Sequence, residues 1–203
     1  MKIEAIKNIN ITALFLEPFN HLLISQKELF DLFKTNDKDK DLHTFVEAPG
    51  LKVLIFPNLK KEIVFEGVRV LINDKSETPP EESKVLDDFK KIIDSNMVNV
   101  NKLAAYGFNY DVVVVPENDT FKIDNFVNAK FADMPDIKSA GINLLFNNGN
   151  ITSVLEIKPV GKENEFIAHF NAHFNMNKLP EIQEIGKQIQ DQFEKFKEII
   201  EKI

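Results

Sequence analysis

The 203-residue chain contains no cysteine, no tryptophan and a single arginine, Arg69. Without cysteine there can be no disulfide, thiolate zinc site, iron–sulfur cluster or cysteine nucleophile. With one arginine, the bidentate forks that clamp phosphates and carboxylates are nearly absent. The formal net charge of −7 works against binding nucleic acid through its backbone, and no nucleic-acid partner is expected. Seven glycines leave little room for glycine-rich phosphate or dinucleotide loops; neither motif, nor a Gly-x-Ser-x-Gly elbow, occurs. No metal or cofactor is expected. Purely apolar runs reach only four residues, as at Val112 to Val115, far short of the roughly 18 residues that cross a bilayer as a helix. Glu4 and Lys7 interrupt the apolar core that a signal peptide needs. The expectation is a soluble, cytoplasmic protein with no membrane partner.

What is present is enough apolar material, 43% of residues with eighteen phenylalanines, for one compact domain spanning 1–203. Ile9, Ile11, Ala13 and Phe15 alternate as a strand does. Ser25-Gln-Lys-Glu28 is a capping box before a short helix carrying Leu29, Phe30, Leu32 and Phe33. Val53 to Phe56 and Ile63 to Ile72 are β-rich and separated by a Pro57–Lys60 turn, with Gly67 marking a bulge. Thr78-Pro79-Pro80-Glu81 opens a helix whose apolar face is Val85, Leu86, Phe89, Ile92 and Ile93. Val98 to Val115 reads as a long strand, and Asp119 to Phe131 as either a short helix or a loop. Ile142 to Phe146 and Ile151 to Val160 form a hairpin about Asn148-Gly149; Gly161 to Asn164 turns into a strand from Phe166 to Phe174. Pro180 and Glu181 begin a helix that runs to Ile203.

These elements fall into two series offset by roughly 100 residues, the signature of an internal repeat. Each half, 1–97 and 98–203, reads as strand, short helix, strand hairpin or meander, and long helix. The fold class is α+β: an antiparallel sheet covered on one face by two long helices, built from a duplicated unit. The N-terminal strand, the passage from Asp88-Phe-Lys to Tyr106-Gly-Phe-Asn-Tyr110, and the closing Gln192-Phe-Glu-Lys-Phe together resemble a sporadically distributed bacterial family of unknown function. That resemblance implies the architecture and transfers no activity or catalytic residue.

Four patterns bear on chemistry. Asp37-Lys-Asp-Lys-Asp41 begins like a calcium loop, but Leu42 stands where glycine is needed and Ala48 where a bidentate glutamate is needed, with Glu47 one place early, so a solvated loop is expected. His169, Asn171, His173 and Asn175 alternate with phenylalanine and alanine, which puts them on the polar side of a strand. Two imidazoles four residues apart on a strand are about 13 Å apart and cannot share one metal ion. The stripe is either a solvent face or a wall of a polar groove, where Arg69 could join the histidines to hold an anion. Tyr106, Phe108 and Tyr110 share one strand face, as the stacking residues of an RNA-binding sheet do; Ala104 and Asp111 occupy the positions that would need a basic and an aromatic residue, so packing beneath a helix is expected. Finally, Ile182, Gly186, Ile189, Phe193, Phe196, Ile200 and Ile203 recur at steps of four and three, with Ile185 and Ile199 widening the stripe. Such a stripe either covers a sheet or zips two chains through Ile189, Phe193, Phe196 and Ile200.

The leading expectation is therefore a non-catalytic binding or assembly module, with a homodimer or protein partner. A small-ligand pocket between sheet and helix is the first alternative. An enzyme using His169, His173 and Arg69 is the second, and it requires those three to converge.

Overall fold

The fold is that of a computed structural model, which describes residues 1–95, 97–117, 140–160 and 165–203. The expectations over Asp119 to Phe131 and Gly161 to Asn164 lie outside those residues. The described chain is a mixed α+β protein in which nine strands form one antiparallel sheet. They are β1 (Lys2–Phe15), β2 (Thr44–Ala48), β3 (Leu51–Phe56), β4 (Lys61–Glu66), β5 (Arg69–Asp74), β6 (Leu103–Val115), β7 (Ile142–Asn148), β8 (Ile151–Pro159) and β9 (Phe166–Phe174). Three α-helices are described: α1 (Gln26–Phe33), α2 (Val85–Asp94) and α3 (Ile182–Lys202). Across the sheet the order is β2-β3-β4-β5-β1-β6-β9-β8-β7, so the two longest strands, β1 and β6, pair at the centre.

Local chemistry explains most boundaries. Ser25 caps α1 in a closed capping box: the Glu28 amide donates to its hydroxyl at 3.2 Å, and the Ser25 amide donates back to the Glu28 carboxylate at 3.2 Å. Gly67 is a turn residue and not a bulge. With φ of +56° it occupies the first position of the two-residue loop joining Glu66 to Arg69, a conformation that glycine adopts without strain. The second hairpin turns on Gly149-Asn150, one residue later than Asn148-Gly149, because Asn148 still pairs with Ile151.

Helix α2 starts at Val85, several residues after the expected proline start. The buried Asp74 carboxylate captures the Ser83 hydroxyl at 2.6 Å and the Lys84 amide at 2.9 Å, while Pro79 accepts from Glu82 and Ser83 in a separate turn. The chain is thus held out of helical geometry until Lys84. At 10 residues α2 is short; only α3, at 21, is long.

All three helices lie on one face of the sheet. Ile9, Ile11 and Ala13 of β1, Tyr106, Phe108 and Tyr110 of β6, and Phe166, Phe170 and Phe174 of β9 project there and are buried. Tyr106 and Phe174 stack at 4.9 Å, and Phe170 and Phe196 at 5.1 Å. The tyrosines keep their hydroxyls satisfied at the helix: Tyr110 donates to the Ile189 carbonyl at 2.6 Å and Tyr106 to Gln188 at 2.9 Å. Burial pushes the Tyr110 phenol well above its ordinary pKa. The aromatic run Tyr106 to Tyr110 therefore packs under α3.

Candidate functional site

The opposite face of the sheet carries no described helix, and strand alternation assigns its residues. Between the core positions Ile9 and Ile11 stands Asn10; between Phe108 and Tyr110 stands Asn109; next to Ile72 stands Asn73; between Phe170 and Ala172 stands Asn171. Backbone register places Asn10 opposite both Asn73 and Asn109, and Asn109 opposite Asn171. Four asparagines thus form an unbroken row across β5, β1, β6 and β9, the four central strands. Asn171 donates to Asn109, and Asn109 donates in turn to Asn10 at 2.6 Å. Asn8 donates to Asn73 at 3.3 Å and to Asp111 at 3.0 Å. Asn10, Asn73 and Asn109 are all buried although they lie on the uncovered face. Side-chain amides each carry donors and an acceptor, so a row of them can satisfy itself and still offer unused groups outward.

One step along β6 and β9 from this row, His169 Nδ1 and Asp111 Oδ1 lie 2.6 Å apart. The hydrogen bond that His169 donates to Asp111 raises the His169 pKa against the opposing effect of burial, and the charges of Asp111 and of Glu156 add to it. Burial works to raise the Asp111 carboxyl, but hydrogen bonds from His169 and Asn8 outweigh it and hold that carboxyl below its ordinary range. The residues opposite His169 on its neighbouring strands are Asp111 and Glu156, both carboxylates.

The pair makes stability depend on pH in a definite direction. The His169 contribution is complete below the ordinary imidazole value of 6.5 and is lost as pH rises through the raised folded value. The Asp111 contribution is complete above 3.8 and is lost as pH falls through the lowered value. The pair is therefore strongest on the acid side of neutrality and weakens in base. We expect His169 to titrate above 6.5 by proton NMR, and Asp111→Asn to bring it back down. A wild-type His169 titrating at or below 6.5 would contradict the pairing.

Not every residue expected to cooperate is brought together. His169, Asn171 and His173 do lie on this uncovered face. Arg69 lies on it too but far off: β1 and β6 intervene between β5 and β9, which puts about 14 Å across the sheet between them. Arg69 sits opposite Leu14, near the C-terminal end of β1, whereas Asp111 pairs with Asn8 at the middle of that strand, and Arg69 is engaged by Glu66. The three residues do not converge in one cleft. The residues expected for a helix seam, Ile189, Phe193, Phe196 and Ile200, are buried against the sheet of their own chain, so the stripe is used internally. A zipper through them would require α3 to leave the core.

The acidic loop is closed on itself. Asp41 accepts from the Thr35 amide at 2.6 Å, the Thr35 hydroxyl at 2.9 Å and the Asn36 amide at 2.9 Å, while Asp37 accepts from Asp39 at 3.1 Å. Among the described residues no group of three or more His, Asp or Glu is placed to hold a metal ion, and no helix is long and apolar enough to cross a membrane. Two surface clefts are described. One of 310 Å³ lies between the end of α2 and the start of α3, lined by Ile93, Leu179, Ile182 and Ile185; one of 210 Å³ lies beside Phe15, Phe19 and Met97. Both open to solvent, and neither touches the asparagine row. No family model matches the chain, and no curated protein matches it.

Asn10, Asn73, Asn109 and Asp111 were not anticipated. The signal for them was an asparagine set between two large apolar residues of a strand, in Ile9-Asn10-Ile11 and Phe108-Asn109-Tyr110 alike.

Proposed function

We propose that the protein is a non-catalytic binding or assembly module made of two related halves, 1–97 and 98–203, with the uncovered sheet face as its working surface. The observation that carries this is the asparagine row across the four central strands. A polar row at the centre of a large sheet, partly buried and with no helix over it among the described residues, contributes less to stability than aliphatic residues would there. Its use is in recognition.

The same row supports the duplication. Asn10 and Asn109, 99 residues apart, face each other where β1 and β6 pair. Outward from that seam the strands run β1-β5-β4-β3-β2 on one side and β6-β9-β8-β7 on the other, so β2 is an extra edge strand of the first series, while Asn73 and Asn171 take matching places. Each series ends in a helix on the same face, α2 or α3. Similarity to the bacterial family of unknown function belongs to the same proposal and brings no activity with it.

The enzymatic alternative is less well supported. An aspartate–histidine pair needs a substrate-facing nucleophile or a convergent cation, and the partners of His169 are two carboxylates while Arg69 stands apart. The pocket alternative asks for a large enclosed cavity, whereas the described clefts are modest and open.

A photo-crosslinking residue placed in turn at Thr152 and Val154, on the uncovered face, and at Glu194 and Glu198, on the outer side of α3, tests the reading. Adducts are expected from the first two positions and not from the last two.

A further inference from the structure

Two strands end the sheet, and only one of them is guarded. On β2, five residues long, Glu47 is held by Lys52 at 3.0 Å and Pro49 follows directly. Charge and proline are common means of keeping an edge from pairing with another chain. Strand β7, Ile142-Asn-Leu-Leu-Phe-Asn-Asn148, has seven residues, no charge and no proline, and runs along β8 without a bulge. Among the described residues it pairs on its β8 side alone. Leu144 is 37% exposed and Leu145 64%.

We infer that β7 is a self-association edge, which pairs antiparallel with β7 of a second copy about a twofold axis at Leu145. The inference goes beyond the uncovered face as working surface and does not depend on it.

The order of residues along the strand selects a second copy. Antiparallel pairing about Leu145 sets Leu145 against itself, Leu144 against Phe146 and Asn143 against Asn147. The five central residues thus have the same chemical character read from either end. On the helix side leucine meets phenylalanine, and on the opposite side asparagine meets asparagine. Moving the axis to Leu144 or Phe146 would set an asparagine against Leu145 instead.

The main chain agrees. The two-residue loop Gly149-Asn150 closes on the hydrogen-bonded pair Asn148 and Ile151. By alternation Asn148, Phe146, Leu144 and Ile142 direct their N–H and C=O groups at β8, while Asn147, Leu145 and Asn143 direct theirs outward. Those last three are the residues that a twofold at Leu145 pairs, each pair exchanging two main-chain bonds.

The side-chain amides are complementary as well. Asn143 donates to Glu156 at 3.2 Å, which leaves its Oδ1 to accept. Asn147 accepts from the Thr152 hydroxyl at 3.3 Å, which leaves its Nδ2 to donate. The twofold brings that donor of each copy to that acceptor of the other. An isologous contact of this kind uses one surface on both subunits. Main-chain bonds supply the affinity of an added strand more than buried area does, so association is weak and reversible, micromolar or above.

The test is sedimentation and light scattering of the purified full chain from about 1 µM to about 500 µM. The mass should rise from 23.3 kDa towards twice that value. Leu145→Lys sets two like charges directly opposite each other and should weaken association about tenfold or more, as should Leu145→Glu. The position is exposed, so both variants should keep the wild-type circular dichroism. An equal mixture of the two should regain association, because a residue facing itself then meets the opposite charge. Val46→Lys, on the β2 edge, should leave association unchanged. A wild-type chain that stays at 23.3 kDa throughout overturns the inference, as does undiminished association of Leu145→Lys, or a mixture of the two folded variants that stays apart. A monomer whose Val154 still crosslinks to a different protein refutes the paired edge and leaves the uncovered face as the working surface.

Discussion

Phe196→Ala is expected to lower the melting temperature of the protein by about 10 °C or more. Phe196 is fully buried, stacks on Phe170 at 5.1 Å and lies 6.3 Å from both Phe193 and Tyr110. Truncating such a ring removes its transfer free energy and leaves a cavity, together about 3–5 kcal/mol. In a domain of this size each kcal/mol moves the midpoint by about 2–4 °C. The direction of the effect separates two roles for α3. A helix that covers the sheet loses stability when Phe196 is cut back. A helix serving only as a dimer seam would lose assembly and keep its midpoint. Thermal unfolding followed by circular dichroism decides between them, and a shift below about 3 °C would contradict the packing described here.

The second large effect is expected at Asp88. Its carboxylate is 3% exposed beneath α2 and is engaged by Lys61 of β4, itself 12% exposed, and by Lys91 one turn further along the helix at 3.4 Å. The two ammonium groups also lie 5.5 and 5.4 Å from the centre of the Phe33 ring, so the cluster ties α1, α2 and the sheet together. Removing one member strands a buried charge. Asp88→Ala should therefore cost about 3–5 kcal/mol, another fall of about 10 °C. Replacing both partners, Lys61→Met with Asp88→Leu, should recover most of the loss, because the desolvation cost disappears along with the attraction. Denaturant melts of the single and double variants measure this. A double variant no more stable than Asp88→Ala would show that the pair stabilises the fold outright.

How much of this could be read from the sequence depends on the range of the interaction that decides it. The alternation from Phe166 to Phe174 defined β9 at its true bounds, and the Ser25–Glu28 box marked the start of α1, because period and capping are local. The stripe in α3 was visible, yet its spacing fits a sheet and a partner helix equally well; burial of Phe196 resolves that. Strand β2 was missed because Thr44 to Ala48 is an exposed edge with almost no apolar alternation. The start of α2 was placed too early because Asp74 competes for Ser83 and Lys84 from a strand outside the helix.

At the site the division is similar. That His169, Asn171 and His173 share the polar side of one strand follows from alternation. That Asn171 meets Asn109, and Asn109 meets Asn10, follows only from the pairing of strands up to 99 residues apart, which no local pattern encodes. The separation of Arg69 from the histidines has the same origin: β1, first in the chain, lies with β6 between β5 and β9. Cross-strand register assembled the asparagine row and also took the arginine out of the histidines' reach.

The most direct test of the uncovered face as the working surface is the crosslinking map. The ratio of adducts formed at Val154 to those formed at Glu198 is the quantity to measure in cells producing each variant at equal level. Adducts concentrated at Val154 are predicted, since that residue stands opposite Asn171 at the end of the amide row, while the outer side of α3 faces solvent. Adducts concentrated at Glu198, with Val154 silent, would contradict that role and move the working surface to the helical side of the protein.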